Sequence, residues 1–90
     1  MPKYAAILTF GDHDTRMAAR PAHREYLKHL LDTGKLLESG PWADDTGALL
    51  IYEAADEAEL RAIIAADPYT AAEGAIAETT VREWVRIFPE

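Results

Sequence analysis

The sequence predicts an α+β fold of element order βαββαβ, a four-stranded antiparallel sheet with its helices on one face. Apolar residues switch between alternate-residue and helical spacing in that order along the chain. The helical stretches are bracketed by cap and breaker residues, Pro21 and Gly34 for the first, Asp56 and Pro68 for the second. No repeat, low-complexity tract or Pro/Gly/Ser linker divides the sequence, so one domain over residues 1–90 is expected.

Lys3 to Phe10 alternates as a strand, with Tyr4, Ala6, Leu8 and Phe10 on one face and Ala5, Ile7 and Thr9 on the other. Both faces are apolar enough to predict cover on each. Gly11-Asp12-His13-Asp14-Thr15 reads as a polar loop. The first helix is expected from about Pro21, or a turn earlier, to Thr33, because proline suits a first turn and Gly34 a left-handed end. Lys35 to Glu38 starts a second strand, interrupted at Ser39-Gly40-Pro41. Ala43 to Gly47 is a turn and Ala48 to Glu53 the third strand. The second helix runs from a cap at Asp56 to about Asp67, where Pro68 disfavours helical geometry in its predecessor. Ala71 to Gly74 adds one turn, and Ile76 to Phe88 is the last strand. The order is that of the ferredoxin-like split motif.

Composition bounds the function. The chain has 90 residues, a net charge of −7 and no cysteine, which excludes disulfides, thiolate metal sites and a thiol nucleophile. Sixteen acids against nine bases argue against a nucleic-acid partner. Apolar runs are too short for a membrane span, and the N-terminus lacks the pattern of a secretory signal; a cytoplasmic protein is expected. Alanine supplies 17 of the apolar residues and leaves only 27 larger ones. So thin a core gains from a partner surface. Two sheets packed face to face would supply it, as a homodimer or a larger assembly enclosing a ligand cavity.

His23 is the most informative side chain. It shares a helical stripe with Tyr26, Leu27, Leu30 and Leu31, so it points toward the sheet. Two readings are open: a core histidine bonded to a backbone carbonyl, or a functional base. Asp67 lies seven residues after Leu60 on the inward stripe of the second helix, at the negative end of the helix dipole. It either begins an Asx-type turn before Pro68 or meets His23 across the adjoining helices. A carboxylate on one ring nitrogen fixes the tautomer and raises the basicity of the other. Asp12-His13-Asp14 reads as a solvated loop, so no metal is expected. Trp42 and Trp84 could line a ligand cavity or simply pack. Arg82 and Arg86 could meet an anion, or pair with neighbouring acids. Pro2 would be an N-terminal base only if Met1 were removed.

Arg20-Pro21-Ala22-His23, Gly34, Leu37-Glu38-Ser39-Gly40-Pro41 and Ala66-Asp67-Pro68-Tyr69 with Gly74 downstream resemble, in order and spacing, the YciI-like (YCII-related) family of dimeric α+β-barrel proteins. The resemblance covers nearly the whole chain. It implies a histidine and an aspartate together in an active-site cavity, at His23 and Asp67. It further implies substrate-binding positions at Arg20, Ser39, Gly40 and Tyr69, beside the candidate Trp42. One branch of the family eliminates chloride from a chlorinated hydroxyhydroquinone, and muconolactone isomerases look similar in fold. The present chain departs from many relatives in its short turn from Trp42 to Thr46.

These observations give two expectations. The first is a cofactor-independent enzyme acting on a small cyclic or aromatic molecule by elimination or isomerisation. His23 would shuttle the proton, Asp67 would orient it, and Arg20 or backbone N–H groups near Gly40 would steady an oxyanion. The second is a non-catalytic dimeric module that binds a small ligand, with a structural His–Asp pair. A monooxygenase on the same barrel is a third reading that no sequence feature demands.

Overall fold

The computed structural model describes residues 1–89. Its elements are β1 (Lys3–Phe10), α1 (His13–Asp32), β2 (Leu36–Pro41), β3 (Gly47–Glu53), α2 (Glu57–Ala65), α3 (Pro68–Ala71) and β4 (Ile76–Trp84). The four strands form one antiparallel sheet in the order β2-β3-β1-β4. This is the ferredoxin-like α+β arrangement. Among the described residues no helix is long and apolar enough to cross a membrane.

Strand alternation sets the core. Tyr4, Ala6 and Leu8 of β1 and Ala48, Leu50 and Tyr52 of β3 point to the helix side, where Leu30, Leu36 and Leu60 pack on them. The opposite face is open only in part, since Ile51 is buried on it. Ile7 is 38% exposed and Trp84 40% exposed on that face, so the expected cover on both sides of β1 is not supplied within one chain.

Four boundaries differ from expectation. Helix α1 begins at His13, eight residues before Pro21. Asp12 is its cap and accepts from the backbone N–H of Thr15 at 2.9 Å and from its hydroxyl at 2.7 Å, so the residues read as a loop form the cap and first turn. Pro21 sits inside the helix on an exposed position, where water can take the Met17 carbonyl that proline leaves without a donor. Strand β2 continues through Ser39, Gly40 and Pro41, which oppose Leu50, Leu49 and Ala48. It is an edge strand, so proline breaks no ladder on its free side. Strand β4 stops at Trp84 because its partner begins at Lys3, directly opposite; Val85 to Phe88 have no strand to pair with and lie exposed.

The fourth difference concerns Asp67. Helix α2 ends at Ala65, and Asp67 caps the separate short helix α3. The aspartate directly follows the α2 C-cap Ala66, with its backbone N–H on the Ile64 carbonyl, and its carboxylate is turned away onto the next turn of the chain. It sits at the positive end of α3, where a carboxylate is favoured. Likewise the extra helical turn lies at Pro68–Ala71 and not at Ala71–Gly74.

Two backbone devices shape the site wall. In β2 the register slips between Leu36, opposite Tyr52, and Glu38, opposite Ile51. Leu37 is the extra residue of a bulge, and the slip brings Ser39 onto the helix side with Leu50. At the start of β3, Gly47 lies so close to the Leu8 carbonyl that a Cβ would collide with it. Only glycine lets β1 and β3 approach there.

Candidate active site

Helix α1 buries Arg16, His23 and Leu30, each seven residues from the next, hence on one face. His23 is 7% exposed and Asp67 5%. His23 Nδ1 lies 2.7 Å from Asp67 Oδ1. A carboxylate can only accept, so Nδ1 carries the hydrogen, and in the neutral ring Nε2 has the free lone pair. Nε2 has no hydrogen-bond partner among the described residues, and His23 lines a cavity of about 470 Å³ between α1 and the β2 side of the sheet.

Asp67 is itself held. Its Oδ1 also accepts from the backbone N–H of Tyr69 at 2.9 Å, and its backbone carbonyl accepts from Thr70 N at 2.8 Å. The Asx-type turn and the contact with histidine, alternatives in the sequence, are both present. The same turn brings the Tyr69 ring onto the His23 ring, with centroids 3.6 Å apart and planes 4° from parallel.

Two more phenols surround the pair. Tyr26 donates to the Ile63 carbonyl at 2.6 Å, tying α1 to α2. Burial, and then the Asp67 charge, push both the Tyr26 and the Tyr52 phenols above the usual tyrosine range. Both therefore stay neutral beside the carboxylate.

Arg20, Ser39, Gly40 and Tyr69 line the cavity with His23, so the structure brings five of the seven expected site residues to its wall. Asp67 stands behind His23, outside the lining. Trp42 is not part of the wall; its indole packs beside Gly47 at the β2–β3 turn. Pro2 lines a second cavity of about 250 Å³ that shares no residue with the first.

Sequence reasoning missed Arg16. It is 5% exposed, lies under the Phe10 ring at 3.8 Å, and reaches Asp45 at 3.4 Å. The signal is its seven-residue spacing before His23, masked by the preference of Pro21 for a first turn.

The arrangement defines an α+β domain of ferredoxin-like fold with a buried His–Asp pair at the wall of an open cavity. The model of the YCII-related domain matches residues 3–85, and the chain belongs to that family. Among solved structures it is similar to the 5-chloro-2-hydroxyhydroquinone dehydrochlorinase of Burkholderia phenoliruptrix AC1100 in complex with 2,5-dihydroxybenzoquinone. The two are 28% identical with a TM-score of 0.74, covering 92% of this chain and 94% of that one. An antibiotic biosynthesis monooxygenase shares the fold at 19% identity and a TM-score of 0.66, covering 97% and 99%. So does a dimeric ferredoxin-like protein of unknown function from Jannaschia sp. CCS1, at 18% identity and a TM-score of 0.53, covering 96% and 100%. No protein of curated function matches the sequence.

Proposed function

We propose that this chain is a cofactor-independent acid/base enzyme that moves a proton on a small cyclic or aromatic molecule, by elimination or isomerisation through an enol or enolate. The observation that carries the reading is the buried 2.7 Å contact of His23 Nδ1 with Asp67 Oδ1, in a histidine that lines a cavity. Similarity to a dehydrochlorinase supports the reaction class.

His23 Nε2 takes the proton from a substrate O–H or C–H. Asp67 holds the ring in the basic tautomer and offsets the charge of the imidazolium. In an elimination, the electron pair of the broken bond passes through the ring and leaves with the halide, so proton and halide depart together and no external oxidant enters. In an isomerisation the same imidazolium returns the proton at a second carbon. Arg20 and Gly40 line the cavity; in this reading the Arg20 guanidinium or a backbone N–H near Gly40 steadies the oxyanion, with Ser39 and Tyr69 shaping the slot.

The working form is a homodimer. The face away from the helices exposes Ile7 and Trp84, with Leu49 half-buried beside them, and a second copy is the surface that would bury them. The dimeric Jannaschia protein of the same fold supports this.

The test is a panel of chlorinated hydroquinones and unsaturated lactones, assayed for chloride release and for deuterium uptake from heavy water. The wild type should turn over at least one class, and His23→Ala should lose about 10²–10⁴-fold in rate with its melting temperature largely kept. No turnover or deuterium uptake by the wild type, or an unchanged rate in His23→Ala, would overturn the reading. Collapse of the variant's fold would favour a structural pair.

A further inference from the structure

The cavity is cationic in an acidic protein. Of its nine Lys and Arg residues, Arg16, Arg20, Arg24 and Lys28 all line this one space, whereas of sixteen acids only Glu38 and Asp45 do. The four cations recur every fourth residue along α1, a ridge about 18 Å long. Like charges at that spacing destabilise a helix. Among the described residues no carboxylate lies within 4.0 Å of Arg20, Arg24 or Lys28; Arg16 alone has one.

Arg16 is the buried end of the ridge and is incompletely satisfied. The Phe10 ring covers one face of its guanidinium, leaving the in-plane donors for recognition. Asp45 meets only Nη2, at a long 3.4 Å, and its own side chain is 63% exposed on the β2–β3 turn. Arg16 Nε is buried with no hydrogen-bond partner. An unpaired buried donor on a charged group is costly, and Nε and Nη2 together form the side-on fork that fits two oxygens of a planar anion.

We infer that the cavity selects substrates bearing a carboxylate or a like planar oxyanion, which takes the Nε/Nη2 edge of Arg16 in place of Asp45 while the rest of the molecule reaches His23. The inference rests on the acid/base reading only for what happens at His23; the anion site stands on Arg16 itself. Helix geometry places the two residues about 10 Å apart along the axis, a span that a substituted ring and the long arginine side chain fill together. Asp45 is the yielding partner because its contact is long and its carboxylate already solvated.

Calorimetric titration of the full chain with benzoate and with its neutral counterpart benzamide tests this. Benzoate should bind about tenfold or more tightly than benzamide, weakening as salt is raised. Arg16→Gln should erase the difference, and Asp45→Asn, a change on an exposed turn, should tighten benzoate severalfold. His23→Gln should keep the preference for benzoate even where turnover is lost, so a failure of the proton-transfer reading would leave this site standing. Equal binding of the two probes would overturn the inference. So would preference retained in Arg16→Gln, or benzoate failing to bind the wild type. Should Arg16→Gln not fold, Asp45→Asn decides: unchanged benzoate affinity there rejects the exchange of Asp45 for ligand.

Discussion

His23 and Tyr69 share one acceptor: Asp67 Oδ1 takes the imidazole Nδ1–H at 2.7 Å and the Tyr69 backbone N–H at 2.9 Å. The oxygen that orients the candidate base is also the cap that turns the chain into α3. The proposed function and the fold thus meet on a single atom, and substitutions at position 67 separate them.

Asp67→Asn keeps an oxygen for the Tyr69 cap but exchanges a charged acceptor for an amide. The fold should hold within about 1 kcal/mol, since asparagine caps as well as aspartate, while any His23-dependent turnover falls. Asp67→Ala removes both bonds and should cost about 1–3 kcal/mol of stability as well. Urea denaturation of the two variants beside the activity assay checks this. Equal stability of the alanine variant and the wild type would contradict the dual role.

Stability should decline in alkali through Tyr52. Its phenol is raised above the ordinary value of 10.0, first by burial and then by the Asp67 charge. A folded-state pKa above the unfolded one means that the stabilisation is complete below about pH 10 and is lost as pH rises toward the folded value. Thermal melts from pH 8 to 11 should show the decline, and Tyr52→Phe should flatten it. An identical alkaline slope in the phenylalanine variant would place the effect elsewhere.

Leu60 is the largest side chain buried completely, at the junction of α2 with the sheet. Leu60→Ala should cost about 2–5 kcal/mol by transfer and cavity terms together. In a chain with so few large apolar residues that is a large share of total stability. A chemical-denaturation midpoint within error of the wild type would mean that α2 packs less tightly than its burial indicates.

The proposed homodimer predicts its own disruption. Ile7→Glu places a charge on the open sheet face without touching the helix-side core. Sedimentation at micromolar concentration should find a dimer for the wild type and a monomer for the variant, with circular dichroism of the secondary structure retained. A wild-type monomer would remove the face-to-face arrangement.

The sheet and its helix side were legible in the sequence because alternation in β1 and β3 is strong and both strands are central. The His23–Asp67 pairing was legible from helix periodicity on one side alone. Asp67 falls on the stripe of α2 only when that stripe is extended past its end at Ala65, and what turns the carboxylate inward is the cap of α3. Periodicity could not reveal this, because a four-residue helix has no stripe to read. Arg16 was illegible for a related reason. Proline at position 21 matches the preference for a first turn, a local signal that competes with the better cap, Asp12 with Thr15, nine residues earlier. At the other end of the chain, pairing and not propensity ended β4. No residue after Trp84 forbids a strand, but β1 begins opposite it.

The bulge at Leu37 bears on how such a pocket diversifies. A bulged residue is supernumerary to the ladder, so removing it would leave Glu38 opposite Ile51 and Ser39 opposite Leu50, as they are now. Leu37 lines the cavity. A one-codon deletion would therefore enlarge the binding space by a leucine while preserving every downstream register, an outcome ordinarily denied to deletions within strands. Shortening β2 at this point would make room for bulkier ligands with no change to His23, Asp67 or the core.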